Sequence, residues 1–123
     1  MIKLYKTQHE YDTEEFTNSS VAITAGIPVV LSGGALVASA SPEYVTLEPC
    51  AASEERCIVH RIRKDELYST LLSADGSAVK VGDAVTIATS GYATATKSGG
   101  NFRIEEFKDT TKGSNSPVVG RFI

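Results

Sequence analysis

The stretch Ala78–Thr96, AVKVGDAVTIATSGYATAT, decides the fold class, because short apolar runs alternate in it with turn residues. Apolar and polar residues alternate with a period of two, which is typical of half-buried strands. The alternating apolar positions are Val79 and Val81 in the first run, and Val85 and Ile87 in the second. The pairs Gly82-Asp83 and Ser90-Gly91 are turn signals. The stretch therefore predicts three short strands joined by two tight turns.

The length of the second turn decides which side chains share a face of this β-unit. A three-residue loop at 89–91 places Ile87 opposite Ala93. It also places Val85 opposite Ala95, so that one face is entirely apolar, whereas a two-residue loop would mix apolar and polar partners. The longer loop puts its glycine at the left-handed position that three-residue hairpins need. The predicted core residues of the stretch are Val79, Val81, Val85, Ile87, Ala93 and Ala95.

The composition favours an all-β fold in one domain. Val, Ile and Thr supply 31 of the 123 residues, and β-branched residues prefer strands. A chain of this length is expected to form one domain with a single hydrophobic core. The formal net charge of -3 argues against direct nucleic-acid binding, which needs a basic surface. The N-terminus has no apolar signal region and glycines interrupt the uncharged segment 16–42, so we expect no contact with a membrane.

Similar strand and turn signals continue along the rest of the chain. Residues 63–72 allow either a strand or a single helical turn. The apolar segment 118–123 would be costly to leave in water, so we expect it to complete the β-domain or to dock on a partner. The other predicted strands lie at 29–31, within 42–49, at 57–62 and at 102–105.

The first twenty residues differ in character from the remainder. They begin with a possible short strand around Leu4 and continue as an acidic run with little apolar surface, which cannot offset its chain entropy alone. We predict an N-terminal arm over 1–20 and a β-domain over 21–123. The arm is either a frayed terminus or a segment that orders only against a neighbour. Its deletion is expected to leave the β-domain folded.

The residues that could carry chemistry form no recognisable catalytic motif. Cys57 and His60 lie three residues apart on a predicted strand and so face opposite sides, which argues against a thiolate–base pair. For His60, a partly exposed strand histidine is preferred to a buried switch. Cys50 and Cys57 are interpreted as reduced thiols, with a local disulfide as the alternative. Zinc is the weakest interpretation because His9 and His60 form no ligand pattern with the cysteines. We therefore expect no enzyme activity, no cofactor and no metal.

The order of four segments resembles the small capsid decoration, or head-stabilising, proteins of tailed bacteriophages and prophages. The resemblance covers about Val21 to Ile123. The segments are TAGIPVVLSGGALV at 24–37, CIVHRIRKDELYSTLL at 57–72, KVGDAVTIATSGYATAT at 80–96 and VVGRFI at 118–123.

The resemblance implies a small antiparallel β-barrel or β-tulip that forms a homotrimer on the outer surface of the virion capsid. The protein would be made in the host cytoplasm, bind the major capsid protein after expansion, and stabilise the head by bridging capsid subunits. Its arm would contact the capsid through Ile2, Leu4 and Tyr5 by strand addition. The family has no catalytic residues to transfer.

A virion head-fibre base or a carbohydrate-binding adhesion domain is the alternative function. A sugar-binding site usually presents exposed aromatic platforms, and this chain contains no Trp. A cellular β-scaffold or an accessory domain of an enzyme is the third possibility.

Overall fold

The computed structural model describes residues 1–6 and 13–123, and these residues form ten β-strands and no helix. Consequently no apolar helix of membrane-spanning length occurs in these two ranges. The strands in chain order are β1 (Lys3–Lys6), β2 (Thr13–Phe16), β3 (Pro28–Ser32), β4 (Ala35–Ala38), β5 (Tyr44–Thr46), β6 (Cys57–Arg61), β7 (Leu67–Leu71), β8 (Ala84–Val85), β9 (Phe102–Phe107) and β10 (Pro117–Phe122).

The strands form two antiparallel sheets of five, so the prediction of an all-β chain is confirmed. The first sheet has the order β1-β7-β10-β9-β8, and the second has the order β2-β6-β5-β3-β4. Both sheets are open, which makes the architecture sandwich-like rather than a closed barrel. The chain begins in the first sheet, builds the whole second sheet between residues 13 and 61, and then returns to the first.

The hairpins follow from local turn chemistry. β3 and β4 close around Gly33 and Gly34, whose φ values of 59° and 83° suit a two-residue hairpin turn. In the stretch that decides the fold, Ile87 lies opposite Ala93, and Gly91 has a φ of 87°. The three-residue loop predicted at 89–91 is therefore the one observed.

The remainder of that stretch departs from the prediction in two of the three strands. Its one regular strand is β8, Ala93 forms only isolated bridges, and Val85 pairs with Phe102 rather than with Ala95. Residues 79–81 do not form a strand, because the backbone reverses where the N–H of Asp83 donates to the carbonyl of Lys80. Val79 enters the core, but Val81 is 59% exposed and is not a core residue. Val85, Ile87 and Ala93 are buried, and Ala95 is only half-buried.

Buried hydrophobic residues separate into two cores rather than the single core expected from chain length. The first core lies between the sheets and contains Ile2, Val45, Tyr68, Leu72, Val79, Val85, Ile87, Ala93, Phe102, Ile104, Val118 and Phe122. The second core contains Ile23, Val29, Leu36, Tyr44, Cys50, Cys57 and Val59. Tyr44 and Val45 are neighbours in β5 but belong to different cores, so the second sheet is buried on both faces.

The described residues of the segment 1–20 belong to the sheets and do not extend from them as an arm. β1 pairs with β7 and β2 pairs with β6, while the N–H of Ile2 donates to the carbonyl of Gly26. Gly26 has a φ of 77°, and a Cβ there would overlap the backbone of Met1. Ile2 supplies apolar surface to the first core. The acidic composition of the segment as a whole gave no indication of this contribution. The rest of the predicted arm, including His9, lies outside the described residues.

Two further predictions are resolved by the first sheet. Residues 67–71 form strand β7, so the strand alternative is correct for this segment. β10 occupies the middle of the sheet between β7 and β9. Its apolar side chains Val118, Val119 and Phe122 are buried there, as their cost of exposure to water predicts.

Candidate protein-interaction surface

The structure separates the three residues predicted to contact a capsid. Ile2 is buried in the first core, and Leu4 is half-buried against it. Tyr5 is 39% exposed, and its hydroxyl accepts a hydrogen bond of 2.8 Å from Nζ of Lys108. Ile2 is therefore not available to a partner in this conformation, and Tyr5 is the member of the set that a partner can reach.

β1 is an edge strand whose outer side is open within the described residues. It is the first strand in the order of the first sheet, and its pairing partner is β7. An open edge presents unpaired backbone N–H and C=O groups, which can pair with a strand from another protein. Lys3 is exposed on this strand, and Lys108 lies beside Tyr5. Lys108 is itself paired with Glu106 at 3.3 Å. The edge therefore carries one exposed lysine, Lys3, and one exposed aromatic ring, Tyr5.

A second surface is an apolar groove of about 340 Å³ beside β4. Val21 and Val37 are its large exposed apolar residues, with exposed fractions of 67% and 39%. The other lining residues are Ser19, Ala22, Ile23, Thr24, Ile27, Ala38 and Thr89. None of the lining residues is charged, so desolvating this groove has no electrostatic cost from a lining side chain. A protein surface of matching shape could gain free energy by covering it.

Asn18 holds one wall of this groove in place. The residue is buried, and its Nδ2 donates to the carbonyls of Val21 and Ala51 at 2.9 Å each. The backbone on either side of it covers the outer side of β4. Leu36 donates to the carbonyl of Thr17 and accepts from the N–H of Ser19. β4 therefore presents its side chains to the groove, while this part of its backbone edge is already paired.

His60 is fully buried, so the prediction of a partly exposed histidine is wrong. Its Nε2 lies 2.8 Å from Oε1 of Glu66, and the hydroxyl of Tyr68 donates to the same oxygen over 2.8 Å. The backbone N–H of Arg63 donates to that hydroxyl over 3.2 Å. Burial is the largest cause of the raised pKa of Tyr68. This polar network joins β6 of the second sheet to β7 of the first.

The sequence did not predict this network, because one of its members, Glu66, lies in the charged run 63–66. A run of mixed charges predicts a solvated turn, but Glu66 is fully buried. The sequence offers one signal that could have found it, since Glu66 and Tyr68 are two residues apart and share a face in an extended chain. Cys57 and His60 face opposite sides of the second sheet, since Cys57 belongs to the second core.

A cluster of possible ligands lies in the loop that joins β5 to β6 and at the first residue of β6. The ligand atoms of Cys50, Glu54 and Cys57 all lie within 4.8 Å of one another. Both cysteines are free thiols and buried, and Sγ of Cys57 donates to Oε2 of Glu54 over 3.3 Å. Burial is the main cause that raises the pKa of each thiol, and the Glu54 carboxylate raises it further.

Comparison with known proteins adds no family assignment to this geometry. No protein-family model matches the chain, and no curated protein sequence matches it.

Proposed function

We propose that the chain is a structural virion protein that attaches to the outer surface of an expanded phage capsid and bridges neighbouring major capsid protein subunits. Three observations support this function. The order of the four segments resembles capsid decoration proteins, the chain is all-β, and its exposed features are those of a protein that binds other proteins.

The open edge of β1 is the observation that carries the proposal. A capsid strand that pairs with this edge would extend the first sheet by backbone hydrogen bonds. Tyr5 would pack beside the added strand, because it is exposed at that edge. In this form of the proposal the capsid contact uses the side chain of Tyr5 and the backbone of β1, whereas Ile2 and Leu4 hold β1 in place against the first core.

The apolar groove supports self-association into a homotrimer. Its lining has no charge to select a partner of opposite sign, so the side chains of a second copy could cover it through apolar contact alone. Three linked β1 edges would then face the capsid lattice. Once one subunit has bound, the contacts of the other two become intramolecular. The affinity of the trimer for the capsid can therefore exceed that of a single subunit by about 10²–10⁴-fold.

The test combines the mass of the purified protein in solution with cosedimentation on empty phage heads. We expect a trimer that sediments with expanded heads and not with unexpanded ones. Tyr5→Ser should leave the trimer intact and weaken head binding by roughly tenfold or more, since an interface tyrosine is often a large contributor. Val37→Asp should shift the protein towards monomers, because it places a charge in the groove.

Two matched variants control for non-specific effects. Tyr92→Ser alters another partly exposed tyrosine, and Val81→Asp alters another exposed valine; neither residue lines the groove or belongs to β1. Each should leave the mass and the head binding unchanged. The proposal would be overturned by a wild-type protein that is monomeric and does not cosediment with expanded heads. It would also be overturned by a protein that binds a glycan array but no heads.

A further inference from the structure

The loop between β5 and β6, together with the first residue of β6, carries three metal-ligating groups in a short span. Cys50, Glu54 and Cys57 follow the spacing C-x3-E-x2-C. A search for cysteine and histidine spacings misses this pattern, because the third group is a carboxylate. The tertiary fold brings both sulfur atoms and a carboxylate oxygen within 4.8 Å of one another.

This spacing is close to what a tetrahedral metal centre requires. Zinc lies about 2.3 Å from thiolate sulfur and about 2.0–2.2 Å from carboxylate oxygen, so two ligands of one centre are roughly 3.5–3.8 Å apart. The three groups therefore need to move little to share one ion. Two sulfur ligands favour thiophilic ions such as Zn²⁺ or Cd²⁺ over Mg²⁺ or Ca²⁺.

We propose that Cys50, Glu54 and Cys57 bind one thiophilic divalent cation of the zinc class, which fastens the loop 50–57 over the second core. The proposal stands on this geometry and does not depend on the proposed function. On binding, each thiol releases its proton to the solvent and coordinates as thiolate. The Glu54 carboxylate gives up its hydrogen bond from Cys57 and becomes the third ligand, and a solvent water takes the fourth tetrahedral position.

The position of the loop supplies a physical role for the ion. The cysteines are members of the second core, which has few large side chains and is covered partly by this loop. The same loop supports the wall of the apolar groove, since Asn18 donates to the carbonyl of Ala51. A bound metal ion would reduce the conformational freedom of the loop, and would thereby stabilise the second core and the wall of the groove.

Direct titration with metal alone tests the site. The full chain is reduced, freed of metal with a chelator, and titrated with Co²⁺ and Cd²⁺, with Zn²⁺ as the competitor. We expect one ion per chain, absorption bands of thiolate-to-metal charge transfer, and tetrahedral Co²⁺ bands that Zn²⁺ abolishes. Zn²⁺ should also raise the melting temperature by several degrees.

Glu54→Gln is the sharpest variant because it keeps the shape of a half-buried side chain and removes its charge. The variant should fold normally and bind the metal ion roughly 10- to 100-fold more weakly. Losses of this size are typical when a residue that supports a metal site is replaced. The matched control is Glu55→Gln, which changes the neighbouring exposed carboxylate and should bind like the unaltered chain.

Three results would overturn the site. One is the lack of charge-transfer absorption when the folded chain receives stoichiometric Co²⁺ or Cd²⁺. Another is equal affinity in Glu54→Gln and the unaltered chain. The third is an intact mass two hydrogens lower in protein purified from a reducing cytoplasm, because a Cys50–Cys57 disulfide would consume both sulfur ligands.

Discussion

The two cores are built from different lengths of the chain. The first core joins residues from Ile2 to Phe122, and so needs nearly the whole sequence. The second core uses residues from Ile23 to Val59. The first lies between two sheets, whereas loops help to cover the second. The difference teaches that the core between the sheets contributes most of the free energy of folding, whereas the second core mainly fixes the positions of the loops that cover it.

Aromatic packing shows the same contrast. Phe122 packs edge-on against Tyr68 and Phe102, with ring centroids 5.3 Å and 5.2 Å apart. Such pairs add about 0.5–1.5 kcal/mol beyond the burial of their area. The second core has Tyr44 packed against the partly buried Phe16, with centroids 5.1 Å apart. We expect the first core to dominate the free energy of unfolding.

The largest expected effect comes from placing a charge in the first core. Ile87→Asp should prevent folding, because an unpaired buried carboxylate costs an amount comparable with the whole free energy of unfolding, about 5–15 kcal/mol. Val81→Asp, at an exposed position of the same stretch, should change stability by less than about 0.5 kcal/mol. Circular dichroism and urea unfolding measure both variants. A native-like Ile87→Asp protein would show that the face assignment is inverted.

The same substitution, Leu to Ala, can be made in each core and so compares their packing directly. Leu72 and Leu36 are both fully buried, one in each core. Leu72→Ala should cost about 4–5 kcal/mol and Leu36→Ala about 2–3 kcal/mol, because the packed aromatic rings of the first core can close over a cavity less readily than the smaller side chains of the second core. Urea unfolding gives both values. Equal costs, or a larger cost for Leu36→Ala, would mean that the second core is packed as rigidly as the first.

The smallest expected effect distinguishes Tyr68 from Tyr44, the buried tyrosines among residues 1–6 and 13–123. Tyr68→Phe removes a hydroxyl that donates to Glu66 and accepts from the backbone of Arg63, and should cost about 1–3 kcal/mol. Tyr44→Phe removes only a contact with the exposed guanidinium of Arg61, and should cost less than about 1 kcal/mol. Thermal unfolding of the two variants checks the order. A neutral Tyr68→Phe variant would show that the network does not stabilise the contact between the sheets.

Predictions from local pattern succeeded where the chemistry of a few neighbouring residues is decisive. The Gly33-Gly34 hairpin and the loop at 89–91 follow from glycines that tolerate positive φ, whatever surrounds them. The predictions for Val81 and His60 failed because burial depends on remote segments. Turn residues reverse the chain before Val81 can enter the core, and Glu66 folds beneath His60.

The candidate sites divide in the same way. The family resemblance pointed to Tyr5, and the cysteine spacing argued against a metal site. Neither showed that Ile2 is buried or that Glu54 lies beside the two thiols. Val21 and Val37 belong to separate segments and line one groove only after folding. Contacts between residues that are far apart in sequence have no local signature.

By itself, the sequence determined that this protein is built from short antiparallel strands with glycine turns, because strand period and backbone φ are properties of adjacent residues. The tertiary structure alone decided that there are two open sheets and two cores, that the polar N-terminal segment supplies strands to both sheets, and which polar groups meet inside. Those outcomes depend on the free energy of burying surfaces contributed by distant segments, and that quantity exists only once the chain has folded.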